Sequence, residues 1–213
     1  MLNLYWQPYD GSAPMERLTT SENEQQPGSW SPDGTTVAIV EIPRTESTAW
    51  VKDIGMLDVR SGRVTPFMNS PADESSPEFS PDGRWLAYAT EGPDEVFVRA
   101  FPGPGSKHQV SSGGGTMPLW SRDGRQLFYR LRDEVWAVDV RKDDDFSPSK
   151  PRLLFKNPSA GDSGAGYRTY DISSDGRFLM VKSEPQKPQP LTEMVLVQNW
   201  FEELKRLVPT GKK

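Results

Sequence analysis

Three stretches of the chain carry residue types that could do chemistry. Gly161-Asp162-Ser163-Gly164 has the spelling of an acyl-transfer nucleophile, and His108, the one histidine, precedes it. A serine attacks only when a rigid scaffold holds a base within hydrogen-bond reach. Ser163 instead lies in Ser159–Gly166, a run of almost entirely small residues, and His108 follows a Pro-Gly turn. These residues read as a loop rather than a triad, and no G-x-S-x-G elbow occurs. Ser112-Gly113-Gly114-Gly115-Thr116 could wrap a phosphate, but it lacks the lysine of a phosphate-binding loop and reads as a connection between elements. Asp143-Asp144-Asp145 lacks the Asp-x-Asp-x-Asp-Gly spacing of a calcium loop and reads as part of a solvated hairpin loop, Arg141–Pro151. One histidine and no cysteine argue against a zinc site and remove disulfides and thiol chemistry. The expectation is a chain that is not an enzyme, with no catalytic residue, metal or cofactor and no assignable ligand-binding residue.

One further serine–aspartate pairing recurs four times. Ser31, Asp33 and Gly34 belong to Trp30-Ser-Pro-Asp-Gly; Ser80, Asp82 and Gly83 to Phe79-Ser-Pro-Asp-Gly; Ser121, Asp123 and Gly124 to Trp120-Ser-Arg-Asp-Gly; Ser173, Asp175 and Gly176 to Ile172-Ser-Ser-Asp-Gly. Four equivalent copies belong to a scaffold rather than to one active site, so these twelve residues read as structural turns. Gly supplies the positive φ that closes a tight turn between antiparallel strands, Pro presets φ before it, and Ser bonds the backbone nearby. The bulky residue ahead of each Ser is expected to fill the gap between stacked sheets.

The elements that carry these turns follow from periodicity. Each phrase runs into an apolar stretch such as Val37–Val40, Trp85–Tyr88, Gln126–Tyr129 or Arg177–Val181, and the aspartates lie 49, 41 and 52 residues apart. Periods of roughly 40–50 residues with strand content indicate four-stranded propeller blades. The expected blades span 28–70, 77–112 and 118–156, with an incomplete one at 168–198 whose third strand is Glu193–Val197. An N-terminal half-blade at 1–20 supplies a third strand, Leu2–Gln7, and a fourth, Met15–Thr19. Residues 199–208 read as a short helix, capped by Asn199 with Glu202 three residues on. Pro185–Pro190 is a proline-rich connection.

Composition excludes several function classes. Of 213 residues, 38 are Gly or Pro, above the background of roughly 12% but below the fraction that marks low complexity. A mean hydropathy of -0.68 suits a chain poor in long helix-forming stretches, and no apolar run approaches the roughly 18 residues needed to span a bilayer. A net charge of -5 and a pI near 5.1 oppose a phosphate-neutralising surface, so no nucleic-acid partner is expected. The first twelve residues lack the basic and apolar regions of a signal peptide. No membrane contact by this segment is expected, and the compartment stays open.

The four phrases resemble TolB-type, WD-like β-propeller repeats. Over Phe79–Val208, FSPDGRWLAY, VFVRAFPGPG, WSRDGRQLFYR and NWFEELKRLVP are similar to the C-terminal propeller of bacterial receptor-type serine/threonine kinases. The resemblance implies an all-β propeller that acts as a non-catalytic sensor or interaction module for a protein or small ligand. A receptor kinase would place it outside the cytoplasm, whereas any other setting would leave it cytoplasmic. The kinase motifs themselves are missing. The alternative implication is a gating propeller of a prolyl-oligopeptidase-type or tricorn-type peptidase. The expected strands number seventeen, short of the twenty in five closed blades. The ends overlap rather than complement, and an open arc that self-associates through exposed blade faces is expected.

Overall fold

The computed structural model describes residues 2–44, 51–68, 70–92, 94–103, 105–141, 145–157, 168–181, 204 and 206–207. They fall into two compact units, Met1–Ser183 and Glu184–Lys213. In the second, Leu204, Arg206 and Leu207 are helical. The expected caps Asn199 and Glu202, the strand Glu193–Val197 and the connection Pro185–Pro190 lie outside the described residues. No helix among the described residues is long and apolar enough to cross a membrane.

Among the described residues of the first unit, strands are the regular elements and no helix occurs. A hairpin of β1 (Tyr5–Trp6) and β2 (Glu16–Arg17) opens it, shorter than the stretches expected there. Three four-stranded antiparallel sheets follow, each ordered as its strands occur in the chain. The first contains β3 (Glu24–Trp30), β4 (Thr36–Ile42), β5 (Asp53–Asp58) and β6 (Val64–Pro66). The second contains β7 (Asp73–Phe79), β8 (Trp85–Glu91), β9 (Glu95–Ala100) and β10 (Lys107–Gln109). The third contains β11 (Thr116–Trp120), β12 (Gln126–Leu131), β13 (Glu134–Asp139) and β14 (Arg152–Lys156). A pair, β15 (Tyr170–Ile172) and β16 (Phe178–Met180), ends the unit.

The period of two along each strand divides its side chains between two cores, one on either face. Val37 and Ile39 pack with Leu4 and Leu18 of the N-terminal hairpin, whereas Ala38 joins Ile54, Phe79, Leu86 and Tyr88 against the second sheet. Ala87 and Val98 face Trp120, Leu127 and Tyr129 of the third sheet. Phe128 and Ala137 in turn face Tyr170, Ile172 and Phe178. The second strands are therefore buried on both faces, and burial fades toward the fourth strands. The register slips once in each first strand, at Pro27/Trp30, Ser75/Glu78 and Thr116/Leu119. Such a bulge bends the strand and increases its twist. It leaves Ser76 and Met117 at φ of 53° and 54°. Gly28 sits at the first bulge, where a Cβ would come within 2.7 Å of the Ala38 carbonyl oxygen and 2.6 Å of Pro77 Cγ.

The bulky residue before each turn serine has three buried copies, Phe79, Trp120 and Ile172. Trp30 departs from the expectation, being 53% exposed. Each buried copy packs against the sheet that precedes its own, and among the described residues the short β1–β2 hairpin alone stands ahead of Trp30.

Candidate functional site between the second and third sheets

The four Ser-x-Asp-Gly turns join the first and second strands of their sheets and share their serine bonds, although the fourth closes one residue sooner, on Arg177 rather than on the fifth residue after Ser. The serine Oγ donates to the aspartate Oδ1 at 2.6 Å in Ser31–Asp33, 2.6 Å in Ser80–Asp82 and 2.7 Å in Ser121–Asp123, and Ser173 does the same to Asp175. That Oγ also accepts from the backbone N–H of Thr36, Trp85, Gln126 or Arg177. Gly34, Gly83, Gly124 and Gly176 hold φ between 68° and 83°. Each serine is thus consumed by its own turn, and in Asp33 and Asp175 the serine bond holds the carboxyl below its usual range.

The other candidate residues are not brought together. His108 lies on β10 with its ring centroid 6.2 Å from Trp85 and 5.3 Å from Phe146, an aromatic packing position. Ser163 and the rest of 158–167 lie outside the described residues, as do Asp143 and Asp144. Asp145 is exposed next to buried Phe146. Among the described residues no group of three or more His, Asp or Glu side chains could hold a metal ion.

The Ser112–Thr116 segment connects β10 to β11 and forms a cradle of backbone N–H groups. Gly113 and Gly114 donate to Glu95 Oε1 at 3.0 and 3.1 Å, and Ser111 donates its hydroxyl to Glu95 Oε2. The anion in this cradle is the chain's own carboxylate. The third glycine is required on packing grounds, because a Cβ at Gly115 would meet the Ser111 side chain at 2.8 Å.

That connection walls a cavity of about 550 Å³ whose lining includes Lys52, Ser75, Ser76, Glu91, Thr116 and Arg132. Lys52, just ahead of β5 in the first sheet, places its Nζ 2.6 Å from Glu91 Oε1 of the second sheet, with both side chains partly exposed. Buried Arg130 donates to Thr169 Oγ1 and to the Arg132 carbonyl, each at 2.6 Å. Arg132 itself holds φ of 56° in the β12–β13 turn, where the second sheet has Gly92 at 63°. A volume of this size suits a small ligand or a few residues of a peptide. Both charge signs and several hydroxyls line it, so a ligand carrying donors and acceptors is favoured over an apolar one.

Between the first strands, Arg168 reaches Glu78 at 2.8 Å. Burial pushes the Glu78 carboxyl up, and Arg168 opposes that shift. Glu74, which is buried, has its carboxyl pushed up by burial and accepts from Ser70 Oγ at 2.5 Å, while its Oε2 finds no partner among the described residues. Sequence reasoning missed Lys52, Glu91, Arg132 and the Glu78–Arg168 pair. They come from different repeats, and the one local signal was a non-glycine residue where the preceding repeat has Gly92.

No protein-family profile matches the chain. It is 24% identical over 148 residues to the uncharacterized peptidase YuxL of Bacillus subtilis (strain 168), a match over 65% of this chain and 22% of that protein. The chain therefore spans about a fifth of that relative's length. Among solved structures, a TolB protein of Agrobacterium tumefaciens superposes with a TM-score of 0.57 at 22% identity, over 72% of this chain and 56% of that one. An oligogalacturonate lyase gives 0.63 at 15% identity, over 86% and 54%. A prolyl endopeptidase gives 0.54 at 20% identity, over 89% and 32%.

The fold is a β-propeller. Its stacked four-stranded sheets agree with these neighbours, which include TolB-like propellers. The receptor-kinase part of the resemblance gains nothing from them. The expectation of a chain that is not an enzyme is overturned by the sequence relative, which is named a peptidase.

Proposed function

We propose that this chain is the propeller portion of a prolyl-oligopeptidase-type peptidase, in which it admits and orients peptide substrates. The observation that carries the reading is the 148-residue match to a protein named as a peptidase, of which the match covers 22%. In this role the cavity beside β7 and β11 takes up a short peptide. Lys52 and Glu91 answer its charged groups, and the hydroxyls of Ser75, Ser76 and Thr116 answer its backbone.

The test is calorimetric titration with mixed-sequence oligopeptides of about five residues. Binding that weakens tenfold or more in Lys52→Ala supports the reading, and no binding by the intact chain overturns it. The neighbouring coding sequence offers a second check. An α/β-hydrolase with a G-x-S-x-G elbow supports the proposal, and a kinase domain in its place favours the sensor reading.

A further inference from the structure

The hairpin β1–β2 repeats, bond for bond, the outer half of a complete sheet. Leu18 and Thr19 donate their N–H groups to the Leu4 carbonyl, as Phe67 and Met68 do to Ile54, and Val110 and Ser111 to Val96. Gln25 N–H reaches the Leu2 carbonyl as Glu74 reaches Lys52 and Gly115 reaches Asp94. Thr19 Oγ1 accepts from Leu4 N–H at 3.0 Å, and Ser111 Oγ accepts from Val96 N–H at 2.8 Å. By these equivalences β1 and β2 are third and fourth strands. β15 and β16, joined by the Ser173–Gly176 turn, are a first and a second.

Among the described residues the two terminal sheets are thus complementary halves, whereas the overlap expected of the ends rests on Glu193–Val197, outside the described residues; each half bares the surface that the other would cover. Trp6 corresponds to Met56, Val98 and Ala137, and Leu179 to Ala38, Ala87 and Phe128, all buried. At the termini Trp6 is 44% exposed and Leu179 75%. Trp30, exposed where its three counterparts are buried, faces the same gap ahead of the first sheet.

We infer that β15–β16 of one copy of this chain docks beside β1 of a second copy, so that one four-stranded blade is built from two chains. The register of the complete sheets sets Leu4 opposite Val181, Tyr5 opposite Met180 and Trp6 opposite Leu179. Counting the sixteen described strands of each chain, two copies joined at both junctions hold eight blades' worth, within the 4–8 that closed propellers use. Tyr5, Trp6, Leu179 and Val181 each have on the order of 100 Å² left to bury. Two junctions therefore remove about 800 Å² from side chains alone, and with the flanking backbone and Trp30 the contact enters the stable class of about 1,200–2,000 Å².

The chain has no cysteine, so an engineered pair reports this contact alone. Directly opposed strand residues have Cα atoms about 4.5–5.5 Å apart, within disulfide reach. The double variant Trp6→Cys/Leu179→Cys is oxidised mildly, and the products are weighed under non-reducing conditions. The expected product is a covalent dimer of two 23.9 kDa chains, absent from either single variant. An internally bridged monomer would show that the ends meet within one chain. Free thiols throughout would show that β16 is covered by another segment, such as Glu193–Val197. Either result overturns the inference. Sedimentation gives an independent reading: Leu179→Asp, at a site exposed in the single chain, should weaken dimerisation at least tenfold while the far-ultraviolet circular dichroism stays unchanged. A monomeric parent chain at high concentration would also refute it.

Discussion

Replacing the turn serines one at a time by alanine should cost stability in proportion to burial. Ser80 is 2% exposed, and its Oγ both donates to Asp82 at 2.6 Å and accepts from Trp85 N–H at 3.0 Å. Alanine removes one bond to a charged acceptor, worth about 1.5–3 kcal/mol, and one neutral bond of about 0.5–1.5 kcal/mol. Little water can replace them, so Ser80→Ala should cost about 3 kcal/mol. Ser173 makes the same bonds in an exposed turn, where water substitutes for the hydroxyl, and its loss should cost well under half as much. Ser31 and Ser121 should fall between. Urea unfolding followed by tryptophan fluorescence reads the series. With a slope of about 3 kcal/mol/M, the Ser80 variant's midpoint should drop by about 1 M. A double-mutant cycle with Asp82→Ala should show coupling of about 1 kcal/mol or more. Equal losses at all four serines, or a loss under about 0.5 kcal/mol at Ser80, would refute the reasoning.

Gly28→Ala should destabilise by about 1–3 kcal/mol, because the added methyl meets the Ala38 carbonyl oxygen and Pro77, whereas Gly34→Ala should cost only its left-handed strain of about 1–2 kcal/mol; thermal melts compare the two. Glu95→Ala should cost about 2–3 kcal/mol by leaving the Gly113 and Gly114 N–H groups and the Ser111 hydroxyl unmatched, and Glu95→Gln should recover part of it in the same melts. Glu74 has its carboxyl raised by burial, so the folded chain binds more protons than the unfolded one between the ordinary value of 4.5 and the raised one. Stability should therefore fall as pH rises through that window, and Glu74→Gln should flatten the fall in denaturation midpoints measured from pH 4 to 8. A Glu74→Gln profile that falls as steeply as the parent's would show that burial is not the cause.

Strand content and the repeat were legible in the residues because they rest on local rules. A Gly at positive φ, a serine that can close on an aspartate two residues on, and alternation with a period of two act within about ten residues of chain. The bulky residue before each turn was legible as sheet-to-sheet filling at Phe79, Trp120 and Ile172. Trp30 obeys the same local rule, but its burial depends on which strands stand ahead of it. The cavity could not be read in this way. Lys52 and Glu91 lie 39 residues apart in different repeats and Glu78 and Arg168 lie 90 apart, and only the stacking of sheets brings them together. The Ser112–Thr116 glycines were visible as a connection, but that their N–H groups close on Glu95 is decided by how β9 lies against that loop. Sequence alone determines what each segment does with its immediate neighbours, because turn and pleat energies are local. Tertiary structure decides which charges meet and which apolar faces stay bare, because those depend on contacts between segments that the chain places far apart.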